Sequence, residues 1–370
     1  MAAASAAATP LFSFGLIADI QYSDIADGKS FDGTETRRYR LSLQHAKAAA
    51  SFFAATGCST VVQIGDLIDG VNNPGAPVSG GVQGPACPAS LAALNAALQA
   101  LSSEAYGLYH VRGNHEIYNF SLAEQKALLP LPAREPPTAF PDPDLFYYAF
   151  SPHPQWSFLV LDAYDVSLSR PPGSEENLEA RRLLKANNPN PCAWGEEGPK
   201  GNFFTGIRDT LQARFVPFNG GVGKRQLQWL AEQLGQARAR GQRVAVFSHV
   251  PFSPSSVAPT HEAGDIFSTL LWNYEELNAV LEPFAGSTVA AVFCGHNHGG
   301  SFGMCAGIPH FTLPSPLIWE QGSHAVVHVF EDKLELETAG AAQVALVEIC
   351  CAPKVLPLAP VQPATTENKE

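Results

Sequence analysis

Five apolar runs of strand length in this chain each end on Asp, Asn or His, and that pattern constrains the fold more than any other feature. "FGLIA" runs into Asp19, and "VVQI" into Asp66 and Asp69 of "GDLID". "YHVR" runs into Asn114, His115 and Glu116 of "GNHE", "VAVFS" into His249, and "VAAVFC" into His296 and His298 of "GHNH". Between the runs lie amphipathic stretches of helix length: "TETRRYRLSLQHAKAAASFFAATG" closed by Gly57, "ASLAALNAALQALSSEA", "KRQLQWLAEQLGQARARG" and "WNYEELNAVLEPFAG". "WSFLVLDA" reads as a further strand, and "HFTLPSPL", "HAVVHVFEDKLELETAG" and "AQVALVEIC" as antiparallel strands that close the chain. Repeated strand–helix units followed by strands give an α/β core whose sheets are covered by helices.

In such sheets ligands bind at the carboxyl ends of the strands, so five strands deliver Asp, Asn and His to one rim. Each piece alone has an ordinary reading. An Asp after a strand is often a turn former or helix cap, and a lone His such as His249 is often only a structural residue. "GHNH" is more specific, because two imidazoles two residues apart at a strand end can reach neighbouring positions. Taken together and in this order, the residues point to a metal centre. The set mixes carboxylate, amide and imidazole without thiolate, which suits Mn, Fe, Zn or Co. It also exceeds what one tetrahedral zinc needs. Two ions sharing a carboxylate would use it all, with Asp66 as the natural bridge. Such pairs sit about 3.5–4 Å apart and clamp the attacking and leaving oxygens of a phosphoryl displacement.

Composition narrows the partners. A net charge of −12, from 23 basic and 35 acidic residues, opposes non-specific binding to nucleic acid or to an anionic membrane. A phosphate-bearing small molecule would then need local help from bound cations. Seven scattered cysteines, an odd number with no C-x-x-C pair, read as reduced thiols in a cytoplasmic protein. "MAAASAAATP" lacks the basic region of a signal peptide; a plastid address stays open. No run of 18 uncharged apolar residues predicts a membrane span. The 370 residues are expected to form one domain over 1–360, monomeric, with insertions near 71–90, 130–144 and 167–223 and a solvated tail at 361–370.

The strings "DIQ", "GDLID", "GNHE", "SHVPFSP" and "CGHNH" resemble the motif series of the calcineurin-like metallophosphoesterases over about Phe14 to His298. Within that superfamily, "DIQY", "RRYRLSLQHA", "GVGKRQLQWL" and "HVPFSP" followed by "LWNYEEL" resemble the manganese-dependent ADP-ribose/CDP-alcohol diphosphatases. The resemblance implies a four-layer sandwich, two mixed β-sheets face to face flanked by α-helices. It implies that Asp19, Asp66 and His298 hold one ion, with Gln21 beside it, and that Asp66, Asn114, His249 and His296 hold the other. His115 would be the non-ligand His near the leaving group, a general acid or charge stabiliser, with Glu116 placed to orient it. Asp69 would orient a ligand His. The cofactor would be two divalent ions, manganese first, with magnesium, zinc or iron as alternatives.

The reaction implied is hydrolysis of the pyrophosphate bond in a nucleoside-diphosphate-linked small molecule. ADP-ribose would give AMP and ribose 5-phosphate; CDP-choline or CDP-glycerol would give CMP and the phospho-alcohol. Specificity has to come from outside the metal rim. Phe31 could stack a nucleobase or simply anchor its own loop. Of Arg37, Arg38 and Arg40, one could reach a phosphate, while the others would be solvated or paired. Arg112 would meet substrate or a core carboxylate, and Phe252 would line the pocket wall. Gln21 stands where the superfamily has His. An amide oxygen is a harder, weaker donor, which favours an exchangeable hard cation such as Mn²⁺. The rival readings are a phosphomonoesterase or cyclic-nucleotide phosphodiesterase of the same fold, and a scaffold of that fold without catalysis.

Overall fold

The computed structural model describes residues 9–30, 33–74, 86–129, 146–194, 203–258 and 267–360. The chain opens with β1 (Phe12–Ile17), a short hairpin of β2 (Gly28–Lys29) and β3 (Thr36–Arg37), and α1 (Tyr39–Ala55). Then come β4 (Thr60–Gln63), α2 (Pro88–Leu101), β5 (Gly107–His110), α3 (Asn114–Asn119) and α4 (Leu122–Leu128). The second half runs through β6 (Tyr148–His153), β7 (Trp156–Val160), α5 (Glu175–Asn187), α6 (Lys224–Ala239), β8 (Arg243–Ser248), α7 (Tyr274–Leu281) and β9 (Val289–Cys294). It ends on β10 (Ser301–Cys305), β11 (Ile308–Thr312), β12 (Ser323–Val329), β13 (Lys333–Gly340) and β14 (Val355–Pro357).

Two six-stranded mixed sheets result, ordered β14-β13-β12-β1-β4-β5 and β10-β11-β9-β8-β7-β6. β1, β4 and β5 run parallel, as do β7, β8, β9 and β11. Alternation along β8 shows how the layers form. Ala245 and Phe247 turn into the core between the sheets, while Val244 and Val246 turn outward to the helices. The inter-sheet core is aromatic. Phe14 of β1 meets Phe158 of β7 at 4.9 Å and Phe293 of β9 at 5.8 Å, both edge to face. Each such ring contributes about 1.5–3 kcal/mol through burial. α1 and α2 cover the first sheet through Ala46, Ala49, Phe53, Leu94, Ala97 and Leu101. α6 and α7 cover the second through Leu230, Leu234, Ala237, Leu277 and Leu281. The four-layer sandwich is the expected one.

Two segments depart from expectation. "AQVALVEIC" is not a strand: Gln343–Ile349 forms one wide helical turn, with Cys350 N–H bonding Ala345 O and with Ala345 and Leu346 buried. β13 pairs instead with β14 beyond that turn, so its free edge is taken by a later segment. The 167–223 insertion carries a helix that the sequence reading did not place, α5. Ser174 caps that helix by accepting from Asn177 N–H, and Glu175 and Glu176 fill its first turn. Only Asn177, Ala180 and Leu184 of α5 are buried, which is why its apolar stripe is faint in the sequence. The 130–144 insertion and the 361–370 tail lie outside the described residues, as does much of the 71–90 insertion. Among the described residues no helix is long and apolar enough to cross a membrane.

Candidate metal centre

The backbone brings the strand ends together under strain. Asp19 (φ 53°), Gln21 (43°), Asp66 (59°) and His296 (66°) all occupy the left-handed region. They are four of the six described non-glycine residues that do so, so the strain is concentrated at this rim. Pairing continues past the strands: Asp19 N–H bonds Gly65 O at 3.1 Å and Gln21 N–H bonds Asp66 O at 2.8 Å. Two glycines let the side chains approach. A Cβ on Gly113 would overlap Asp66 Oδ1, and one on Gly295 would lie 2.6 Å from Asp19 Oδ2.

Asp66 is the hub. Its Oδ1 accepts from His115 N–H at 2.8 Å, and its Oδ2 lies 3.3 Å from His249 Nε2 and 3.2 Å from Gln21 Nε2. Donor atoms of Asp66, His249 and His296 all fall within 4.8 Å of one another. Asn114 Oδ1 stands 3.3 Å from His249 Nε2. On the other side Asp19 Oδ1 lies 3.7 Å from His298 Nε2 and 4.0 Å from His249 Nε2. The structure therefore brings Asp19, Asp66, Asn114, His249, His296 and His298 to one place. His249 donates Nδ1–H to Ile64 O (2.7 Å) and His298 donates Nδ1–H to Glu35 Oε2 (3.2 Å). Each ring thus turns its Nε2 inward, the nitrogen that would offer a lone pair to a cation once unprotonated.

The electrostatics are those of a site short of positive charge. Burial pushes the Asp19 carboxyl up to about 6 against the pull of His249 and His298, and its Oδ1 has no hydrogen-bond partner. Burial also opposes charge on His249. The Asp66 carboxylate and its hydrogen bond outweigh that and lift the imidazole to about 10, so a proton sits where a cation's charge is wanted. Burial pushes Glu116 up to about 7, with repulsion from Asp66 adding to it. Buried carboxylates with one unsatisfied oxygen and converging imidazole lone pairs fit divalent cations.

Other expectations need correction. Glu116 does not orient His115. Its carboxylate accepts from the backbone amides of Asp66 (2.8 Å), Leu67 (2.6 Å) and Gly113 (2.8 Å), because adjacent residues on α3 point in different directions. Gln21 places its amide nitrogen, not its oxygen, toward Asp66 Oδ2 and His298 Nε2 (2.9 Å), and its Oε1 is buried without a partner. As oriented it is a hydrogen-bond donor and not a ligand. Arg112 is locked in a buried bidentate pair with Asp162, both oxygens at 2.8 Å, so it meets the core carboxylate. Phe252 is fully buried, packed 5.1 Å from His310, and is no pocket wall. Asp69 orients no ligand His; it binds Arg37 at 3.0 Å and lies 3.6 Å from His115 Nδ1. Arg38 bonds Ile318 O and Glu320, and Arg40 bonds Asp24. Phe31 lies outside the described residues.

Sequence reasoning missed the residues that hold the ligands. Tyr164 O–H donates to Asn114 Oδ1 at 3.1 Å, Asn219 Oδ1 lies 2.8 Å from His296 Nε2, and Glu35 holds His298. Phe218 adds a ring 6.0 Å from that of His296. Phe218 and Asn219 lie in the 167–223 insertion, and no motif in the sequence singles them out.

Residues 12–300 match the calcineurin-like phosphoesterase family. A rice protein named "Manganese-dependent ADP-ribose/CDP-alcohol diphosphatase" is 36% identical over 93% of this chain and 95% of its own length. Its human namesake is 32% identical over 89% and 90%. The crystal structure of a dimetal phosphatase from Danio rerio, 29% identical, superposes with a TM-score of 0.73 over 95% of this chain and 99% of that one. Sequence, sandwich and strand-end rim agree: the chain belongs to the calcineurin-like phosphoesterase family.

Proposed function

We propose that the chain is a manganese-dependent diphosphatase. It would cleave the pyrophosphate bond of nucleoside-diphosphate-linked small molecules: ADP-ribose to AMP and ribose 5-phosphate, and CDP-choline or CDP-glycerol to CMP and a phospho-alcohol. The name shared by its relatives supports the substrate class. The observation that carries the chemistry is Asp66, a buried carboxylate with the imidazoles of His249, His115 and His296 gathered around it. Asp66, Asn114, His249 and His296 would hold one cation; Asp19, Asp66 and His298 would hold the other. The donors are oxygen and nitrogen with no thiolate, which suits manganese. When bound, the pair supplies Lewis-acid charge to the phosphoryl oxygens and activates water at neutral pH.

The chain's own contribution is read from His115. Gly70 N–H donates to its Nδ1 at 2.7 Å, so the ring proton is on Nε2, which lies 3.9 Å from Asp66 Oδ2. Burial holds the ring below the ordinary imidazole range despite Asp66 and Asp69. His115 is thus a neutral hydrogen-bond donor aimed into the rim. That suits stabilising charge on a departing oxygen better than surrendering a proton. Among the described residues no disulfide forms, which supports a cytoplasmic, reducing setting.

The test is hydrolysis of ADP-ribose, CDP-choline, a phosphomonoester and cyclic AMP by protein stripped of metal and resupplied with Mn²⁺ or Mg²⁺. AMP and ribose 5-phosphate formed from ADP-ribose with Mn²⁺ is the expected result. Inorganic phosphate released from intact substrates, or turnover of cyclic AMP alone, overturns the reading.

A further inference from the structure

Asn219 lies outside every recognised motif, in the "FNGG" that closes the long segment after β7. It is fully buried. Its Nδ2 donates to Arg214 O at 2.8 Å and to Ser268 O at 2.6 Å. Two carbonyls therefore consume both amide hydrogens, and the orientation of the amide is settled. The remaining atom, Oδ1, is the one 2.8 Å from His296 Nε2. An amide oxygen only accepts, so Nε2 must carry the ring proton and the lone pair is left on Nδ1. The backbone holds the residue as well: Asn219 N–H bonds Val216 O at 3.2 Å.

We propose that Asn219 is a positioning residue. It fixes His296 in the Nε2–H tautomer with Nδ1 as its cation donor, so this one amide, and not the segment between β7 and α6 as a whole, tunes the affinity for the ion on the Asn114 side. The proposal rests on the metal reading above. A carboxylate often does this work for metal-bound His, but Asp19, Asp66 and Glu116 already crowd the rim with buried negative charge. A neutral amide orients the ring without adding more.

The test uses full-length protein labelled with ¹⁵N-histidine, its metal removed, together with Mn²⁺ titration followed by electron paramagnetic resonance. His296 is expected to show the Nε2–H tautomer in the wild type and a mixture in Asn219→Ala. That variant should bind one of two Mn²⁺ ions about 10- to 100-fold more weakly. Arg214→Ala is the control. It removes side-chain bonds to Trp272 O, Leu211 O and Glu275, loosening the same segment without touching His296, and should keep both the tautomer and the affinity. An Nδ1–H tautomer in the wild type overturns the proposal without any variant. So does unchanged Mn²⁺ binding in Asn219→Ala, or an Arg214→Ala that reproduces its loss. Failure of the wild type to bind two Mn²⁺ would overturn the metal reading instead, and the tautomer would still decide the role of Asn219.

Discussion

On one side of Asp66, Asn114, His249 and His296 each lean on an uncharged partner: the Tyr164 hydroxyl, the Ile64 carbonyl and the Asn219 amide. On the other side Asp19, Gln21 and His298 lean on one another and on Glu35, whose side chain is 35% exposed and comes from the loop of the small β2–β3 hairpin. The first half is set by the packed sandwich and the long segment after β7. The second half is one donor poorer, since Gln21 presents hydrogens where a ligand would present a lone pair. Two ions bound to one carboxylate would therefore be held unequally, the ion on the Asn114 side firmly and the one beside Asp19 exchangeably.

The largest effect should come from the residue both halves share. Asp66→Asn should lower turnover by about three decades or more, as expected for several kcal/mol of lost transition-state stabilisation. Mn²⁺ stoichiometry should fall with it, and a variant that still binds two ions would show that the halves do not meet at Asp66. His115→Ala removes a donor without removing a ligand. It should cost about 10²–10³ in kcat while Mn²⁺ titration stays at two ions. Loss of an ion would instead place His115 among the ligands.

The contrast between the halves was partly legible in the sequence. The six ligand candidates stood out because each interrupts an apolar run at the end of a strand, a signal that survives without tertiary information. Their supports did not stand out. Asn219, Tyr164 and Glu35 reach their partners across 77, 50 and 263 residues, from segments with no strand or helix period. Glu116 was misjudged for a local reason: proximity in sequence was taken for proximity in space, whereas the turn of α3 sends its carboxylate back to cap the backbone of the β4 loop. Arg112 had two readings, and only the position of Asp162 at the end of β7 separates them.

Two smaller effects sharpen the comparison. Gln21→His should make the poorer half resemble the richer one. A second imidazole beside Asp19 is expected to tighten the exchangeable ion about tenfold, roughly 1.4 kcal/mol, and to shift preference toward Zn²⁺. Competition with a chelator would read this as a slower loss of one ion, and unchanged release would leave the Gln a spectator. Glu35→Gln should have the least effect, weakening the same ion by less than about tenfold. The Glu35 side chain is partly open to water, and solvent can replace it at His298 Nδ1. If instead the ion on the Asn114 side weakens, the two halves are not separable.

The left-handed residues at the rim show what the two sheets do for the site. Asp19, Gln21, Asp66 and His296 hold conformations that cost about 1–3 kcal/mol each outside glycine, and backbone bonds that continue past the strands, Asp19 N–H to Gly65 O and Gln21 N–H to Asp66 O, help to hold them. The work of bending the strand ends inward is therefore done when the chain folds, by the two sheets beneath. The aromatic core between the sheets, remote from any phosphate, thus acts on the chemistry by fixing strand ends that are bent toward one another.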